Sequence, residues 1–156
     1  KVVSLLDKAV EDARDIAHNL VSGTLSKFGL FAALEDLKNS IEGTGSIQVD
    51  LSINASEERF HSDVEINLYR IVQEAFSNSL KHADATILKV DFKQHNNDIQ
   101  LIISDNGKGF NPKEVEHGMG LKNVKARVSK LNGELNLVNT KGTSYILSFK
   151  LDSLEE

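Results

Sequence analysis

The stretch Ser62–Asp84, SDVEINLYRIVQEAFSNSLKHAD, carries a helical repeat around which the rest of the sequence is arranged. Ser62 and Glu65 have the spacing of a capping box, which predicts that Ser62 is the N-cap of a helix. At about 100° per residue, one side of this helix is apolar, and that side is expected to pack on a sheet. The apolar positions are Leu68, Tyr69, Val72, Ala75, Phe76 and Leu80.

The opposite side of the same helix carries polar residues in a regular order: Arg70, Glu74, Asn78 and Lys81. A carboxylate, an amide oxygen and an ammonium in one row could hold a divalent cation and a polyphosphate. Taken alone, the row is more simply interpreted as a solvated helix face. The glycine-rich segments downstream decide between these two interpretations.

The composition is that of an ordinary globular domain. The chain has 156 residues, of which 40% are hydrophobic and 26% charged, so it can bury a core. Its net charge of -5, without a basic tract, argues against a nucleic-acid binder. The absence of cysteine excludes disulfides and thiolate metal sites. No apolar run reaches transmembrane length, so no membrane contact is expected in this segment.

The N-terminal residues predict helices. Between residues 1 and 20, apolar residues recur at alternating spacings of four and three, which is typical of a seam packed against another helix. This helix either docks on its own domain or forms a dimer. Ser22-Gly23 interrupts the pattern, and the apolar residues of 30–41 predict a second helix that ends at Gly43-Thr44-Gly45. Because the chain starts at Lys1 inside a helical pattern, we expect it to be part of a longer protein.

From Ser46 the apolar period changes to two, which predicts strands. A first strand covers 47–53, and a hairpin over 88–103 turns at Asn96–Asp98. A helix over 121–131 stops at Gly133, and strands near 134–139 and 143–151 end the domain. We therefore predict an α+β fold: a two-layer α/β sandwich with a mixed, mostly antiparallel sheet, helices on one face and a preceding N-terminal helical segment.

Three glycine-containing segments carry the candidate chemistry. In Asp105-Asn106-Gly107-Lys108-Gly109-Phe110, the carboxylate could accept a hydrogen bond from an amino group, and the glycines would let a flat ring approach the backbone. Gly118-Met119-Gly120-Leu121 opens a helix, where free N–H groups favour phosphate. Gly142-Thr143 offers a hydroxyl at a strand start. Read singly, the first segment also fits a calcium-like loop or a plain turn, and the second a plain helix start.

Taken in order, these segments and the Glu74-x-x-x-Asn78 pair resemble the Bergerat ATP-binding fold of the GHKL superfamily. That superfamily includes gyrase, a heat-shock chaperone, mismatch-repair ATPases and sensor histidine kinases. Residues 69–83 and 118–127 are similar to bacterial sensor kinases of the nitrate-sensor and desaturase-thermosensor type. The resemblance covers roughly residues 46–151. It departs from the family pattern at Thr140, which stands where the third box often has a glycine.

The resemblance implies that ATP and Mg²⁺ bind here. Asn78 would give its amide oxygen to Mg²⁺, and Glu74 would orient or deprotonate the attacking group or hold a metal-bound water. Asp105 would accept a hydrogen bond from the adenine amino group, supported by Thr143. The other residues implied to contact the nucleotide are Lys81, His82, Gly107, Lys108, Gly109, Phe110, Gly118, Met119, Gly120, Leu121 and Gly142.

The function implied by the resemblance is that of the ATP-binding catalytic domain of a sensor histidine kinase. Such a domain transfers the γ-phosphoryl group of ATP to a histidine for relay to the receiver domain of a response regulator. Residues 46–152 would form the catalytic domain, and residues 1–43 the end of a dimerisation region, namely its second helix and linker. The parent protein would be a homodimer with this part in the cytoplasm. The alternatives are an anti-sigma-type serine kinase and a non-catalytic nucleotide-binding interaction domain.

The position of the phospho-accepting histidine follows from a missing motif. Family members carry an acceptor pattern like Glu-Leu-His-Asp, and no such pattern occurs in this sequence. The acceptor is therefore expected upstream, and the isolated chain is expected to bind ATP without phosphorylating itself. The alternative is that His18 is an unusual acceptor.

Overall fold

Five strands and three complete α-helices, preceded by a helical segment at residues 23–28, form most of the described part of the chain. The protein's computed structural model describes residues 23–109 and 119–154. The helices are α1 (Leu30–Glu42), α2 (Ser62–His82) and α3 (Met119–Lys130). The strands are β1 (Gln48–Asn54), β2 (Ile87–His95), β3 (Asp98–Asp105), β4 (Glu134–Thr140) and β5 (Gly142–Lys150), and a 3₁₀ helix follows at Leu151–Leu154.

The strands form one five-stranded sheet in the order β1-β2-β3-β5-β4. β1 and β2 are parallel and are joined through α2, the kind of crossover that parallel strands need, and the other neighbours are antiparallel. The predicted mixed, mostly antiparallel sheet is confirmed. No helix within residues 23–109 and 119–154 is long and apolar enough to cross a membrane.

The strand register places the end of β3 under the helices. Leu88, Val90 and Phe92 of β2 are buried, and their partners on β3 are Asp105, Ile103 and Leu101. Because side chains alternate across a strand, all of these residues face the same side of the sheet. Asp105 therefore lies on the buried face, at the point where the apolar series of β3 ends.

The apolar side of α2 is confirmed, with two corrections. The N-cap is His61, whose Nδ1 accepts a hydrogen bond from the N–H of Asp63 at 3.3 Å, and not Ser62. Ser62 forms no capping box because the Glu65 side chain bonds to residues that precede the helix instead. Leu80, predicted on the packed side, is 43% exposed. The buried stripe continues through Ser79 and Ala83, which takes Leu80 out of the core.

The segment before the sheet packs on the same core. Residues 23–28 are helical, so the predicted interruption at Ser22-Gly23 is wrong at Gly23, and the break falls at Gly29, which has a φ of 91°. Leu25 and three residues of α1 are buried with the sheet residues: Leu30, Ala33 and Leu34. The predicted end of α1 at Gly43 is confirmed. The seam of residues 1–20 and His18 lie outside the described residues, and the dimerisation assignment of residues 1–43 stays a prediction.

A buried carboxylate ties this segment to α2. Glu65 accepts hydrogen bonds from the backbone N–H of Phe60 at 3.0 Å and from Nε of Arg59 at 3.1 Å. The same guanidinium also donates to the carbonyl oxygens of Ser26 and Lys27. A Cβ atom at Gly29 would come within 2.6 Å of Cδ of Arg59. Arg59 thus connects the turn at Gly29 to the first turn of α2.

We expect Arg59→Ala to lower the free energy of unfolding by about 1–3 kcal/mol, because it leaves the Glu65 carboxylate without its cation. The Glu65 side chain is 3% exposed, whereas that of Arg59 is 49% exposed, so the loss falls below that of a fully buried pair. Lys93→Ala is the matched control, since Lys93 pairs with Asp91 at the surface and should contribute less than about 1 kcal/mol. Urea unfolding measures both variants, and equal losses would contradict this role of Arg59.

Candidate functional site

The candidate site is built around the carboxylate of Asp105, which is 8% exposed. Oδ1 accepts hydrogen bonds from the backbone N–H groups of Gly107 at 2.9 Å and Thr143 at 3.2 Å. Oδ2 accepts one from the hydroxyl of Ser79 at 2.5 Å. A carboxylate has roughly four acceptor positions, so Oδ2 can accept one further hydrogen bond from a ligand.

Ser79 belongs to this site, although it was not among the predicted residues. It lies on the buried stripe of α2, at a position that the helical repeat assigns to the apolar side. A buried hydroxyl needs a hydrogen-bond partner, so a serine on the apolar side of the helix indicates a buried polar contact at Ser79. The sequence could not show that the partner is Asp105, 26 residues further on.

Thr143 has an unused hydroxyl beside Asp105. The residue is 1% exposed, and its Oγ1 is the one enclosed side-chain polar atom without a hydrogen-bond partner in the described part of the chain. Buried hydroxyls are almost always hydrogen-bonded. The residues present therefore fit a group with polar atoms, or a water beside it, at this position.

Two glycines let backbone segments meet behind Asp105. A Cβ atom on Gly107 would overlap the carbonyl oxygen of Ala83. A Cβ atom on Gly142, which has a φ of 92°, would overlap the carbonyl oxygen of Asp105 itself. Thr140, where the family pattern often has a glycine, is exposed and pairs with Gly142 across the β4–β5 turn.

The second half of the site lies where α2 meets the first turn of α3. A Cβ atom on Gly120 would lie 3.0 Å from Oε2 of Glu74 and 3.2 Å from Oδ1 of Asn78. Both oxygens therefore face one small region beside Gly120. Nδ2 of Asn78 donates a hydrogen bond to the hydroxyl of Tyr145 at 3.1 Å. Tyr145 was also not predicted, although Gly142-Thr143 lies just before it on β5.

The electrostatics follow from burial and from neighbouring charges. Burial raises the pKa of the Tyr145 phenol, and the carboxylates of Asp105 and Glu74 act in the same direction, so the phenol stays protonated at neutral pH. Burial also lowers the pKa of Arg70, with Arg127 acting in the same direction and Glu74 opposing it. Arg70 lies one turn before Glu74 and remains charged.

The structure places the other predicted residues less centrally. Lys81 and His82 are exposed in the last turn of α2. Lys108 is exposed, its ammonium lies 3.2 Å from Oδ2 of Asp84, and its N–H bonds to the carbonyl of Ala83. Leu121 is 2% exposed and belongs to the core, so only its backbone could line a ligand.

Four further predicted positions lie around the glycine segments. Gly109 is buried with a φ of 75°, and a Cβ atom there would overlap the Asn139 side chain. Met119 begins α3. Phe110 and Gly118 lie outside the described residues.

Two cavities in the described part of the chain, each of about 650 Å³, contain none of the predicted site residues. One of them is lined by residues at the far end of the sheet, including Lys93, His95, Asp98, Gln100 and Phe149. The other lies beside the N-terminus of α2 and includes Arg59, His61 and Asp63.

Comparison with known proteins assigns the fold to a family. Residues 63–153 match the family model of the histidine kinase-, DNA gyrase B- and HSP90-like ATPases. The chain belongs to this ATPase family. The matched range includes every predicted site residue, from Glu74 to Thr143, and the resemblance inferred from the four motifs is confirmed.

Two curated relatives of the chain are named as histidine kinases. The chain is 34% identical over 155 residues to the signal transduction histidine-protein kinase/phosphatase DegS of Brevibacillus brevis, covering 97% of this chain and 40% of that protein. It is 31% identical over 141 residues to the oxygen sensor histidine kinase NreB of Staphylococcus carnosus, covering 88% of this chain and 40% of that protein. The chain thus spans about 40% of the length of either relative.

A solved structure supports the ATPase fold. The histidine kinase domain of the blue-light activated histidine kinase from Erythrobacter litoralis EL346 superposes with a TM-score of 0.68. The two are 22% identical, and the match covers 80% of this chain and 62% of that one. The predicted α+β ATPase fold is confirmed.

Proposed function

We propose that this chain is the ATP-binding catalytic domain of a sensor histidine kinase and transfers the γ-phosphoryl group of ATP to a histidine. The single observation that carries the proposal is the Asp105 carboxylate, which is held by three donors and retains one acceptor position. The family match and the two kinase relatives support the same conclusion. The relatives favour it over a serine kinase or a non-catalytic binding domain.

The adenine ring would bind at Asp105. Its exocyclic amino group would donate to the free position of Oδ2, and a water or ring nitrogen would satisfy the orphaned Oγ1 of Thr143. The backbone of Gly107 and Gly109 would line the ring. Discrimination against guanine follows, because guanine carries a carbonyl oxygen where adenine has its amino group, and two acceptors would then face each other.

The phosphates would lie toward Asn78, Glu74 and the start of α3. The residues present fit Mg²⁺, since an amide oxygen is a hard ligand and Oδ1 of Asn78 receives no hydrogen bond within residues 23–109 and 119–154. When bound, Mg²⁺ would neutralise the charge that develops on the transferring phosphoryl group. The N–H groups at the start of α3, with Lys81 and His82, would contact the phosphates.

The transfer step would be an in-line displacement. An imidazole nitrogen of the acceptor histidine attacks the γ-phosphorus, the bond from phosphorus to the β,γ-bridging oxygen breaks, and ADP leaves. Glu74 orients the imidazole and takes its N–H proton. The chain supplies positioning and charge stabilisation for this step. We further propose a homodimeric, cytoplasmic kinase whose phosphoryl group passes to a response-regulator receiver domain.

We expect Asp105→Asn to weaken ATP binding roughly ten- to a hundred-fold, because the amide presents a donor to the adenine amino group. The same amide should improve the affinity for GTP relative to ATP. Ser79→Ala keeps the carboxylate but removes one of its three donors, so a smaller loss with unchanged preference for ATP is expected. Calorimetry with both nucleotides measures these changes, and equal affinity of the parent chain for ATP and GTP would contradict the adenine site.

We expect Glu74→Gln to leave ADP affinity within a few-fold while abolishing phosphoryl transfer, because the amide cannot accept the histidine proton. Binding is measured by calorimetry, and transfer by labelling the complete kinase with γ-labelled ATP. Lys122→Gln is the control, since Lys122 is exposed on α3 and outside the proposed machinery. Full kinase activity in Glu74→Gln would rule out the assigned role of Glu74.

A further inference from the structure

Tyr145 is the side chain that holds Asn78. Their hydrogen bond joins α2 to β5 across 67 residues of sequence, with Nδ2 of the amide donating to the phenol oxygen at 3.1 Å. Asn78 is 8% exposed and Tyr145 is 1% exposed. Within the described ranges, 23–109 and 119–154, Asn78 has no other side-chain hydrogen bond.

The direction of this bond determines which end of the amide faces the site. An asparagine side chain has a donor end and an acceptor end, which exchange places when the amide rotates by half a turn. With Nδ2 held by Tyr145, Oδ1 is the amide atom nearer to Gly120: it lies 3.2 Å from the position that a Cβ atom there would occupy, whereas Nδ2 lies 3.6 Å from it. The reversed amide would present N–H hydrogens to that region, and these cannot bind a cation.

Packing alone does not account for the hydroxyl. Tyr145 lies in the inward-facing series of β5 with Thr143, Leu147 and Phe149, and its strand partners are Ile103 and Leu137. A phenylalanine would fill this apolar position without the cost of burying a hydroxyl. The hydroxyl therefore adds one feature to the core, which is the acceptor for Asn78.

We propose that Tyr145 is a positioning residue that fixes the Asn78 amide with Oδ1 toward the metal that accompanies the nucleotide. The inference rests on the proposed role of Asn78 as the Mg²⁺ ligand and extends it to a residue outside the recognised motifs. It predicts that Tyr145 contributes to the Mg²⁺-dependent part of nucleotide affinity and not to adenine binding.

The test is Tyr145→Phe, measured by calorimetric titration of the chain with ATP in Mg²⁺ and in excess chelator. The ratio of the two affinities is the gain due to Mg²⁺. We expect this gain to fall roughly three- to tenfold, because the amide is free to rotate, while the affinity without metal stays within about twofold. Tyr69→Phe is the matched control, since Tyr69 is also buried and its hydroxyl bonds to Gln73 at 3.1 Å, away from Asn78.

Repeating the Tyr145→Phe substitution in the Asn78→Asp variant distinguishes a positioning role of Tyr145 from a structural effect. In Asn78→Asp the two oxygens of the carboxylate are equivalent, so no orientation has to be selected. Adding Tyr145→Phe to this variant should leave the Mg²⁺ gain unchanged. A general loosening of the site would instead lower the gain in both backgrounds, and that result would overturn the inference.

Asn78→Ala distinguishes the inference from the function on which it rests. If Asn78→Ala removes the Mg²⁺ gain while Tyr145→Phe retains it in full, the positioning role is wrong and the proposed metal ligand stands. If Asn78→Ala itself keeps the gain, the assignment of Asn78 as ligand fails and the role of Tyr145 fails with it.

Discussion

The hydrogen bonds to the buried carboxylate of Asp105 are the interaction on which the site depends. Its three donors come from three different segments: the hydroxyl of α2, the backbone of β5 and the loop that follows β3. A buried carboxylate is costly unless it is bonded, so the segments are held in a fixed arrangement by the same groups that stabilise the charge. Only an amino group or another donor can complete the set, which gives the site its chemical preference.

The two sides of α2 connect this carboxylate to the rest of the site. The apolar side packs on the sheet and places the Ser79 hydroxyl within hydrogen-bond distance of the Asp105 carboxylate. The polar side forms a seam with α3, which begins where Gly120 lies against Glu74 and Asn78 and continues to Arg127, whose guanidinium bonds to Asn67 at 3.2 Å. One helix therefore carries the hydroxyl that supports the proposed adenine site, the proposed metal ligand and the proposed base.

Much of the fold could be predicted from the sequence because its signals are local. The change of period at Ser46, the turn at Asn96 and the stop at Gly133 each act within a few residues, and all three predict elements that the structure contains. Glu74, Asn78 and Asp105 were predicted as site residues from the resemblance of their motifs to the family, and their roles stay a prediction. Two predictions for α2 failed because the deciding contacts lie outside the helix. Arg59 in the preceding loop bonds to Glu65, so Ser62 is not the cap, and the last turn of α2 buries Ser79 in place of Leu80.

Ser79 and Tyr145 were missed because their roles exist only after folding. Each looks like an ordinary core position in its own helix or strand, and its polar atom matters only because a distant segment brings a partner to it. Leu121 belongs to a motif that the resemblance assigns to the nucleotide. Its side chain packs in the core, so only its backbone could contact a ligand.

The most direct test of the central claim is a crystal structure of the chain with Mg²⁺ and a non-hydrolysable ATP analogue. The account predicts the adenine amino nitrogen about 3 Å from Oδ2 of Asp105 and the metal about 2.1 Å from Oδ1 of Asn78, with the Tyr145 bond to Nδ2 retained. An analogue bound with its adenine away from Asp105, for example in the cavity beside Lys93 and Phe149, would contradict it.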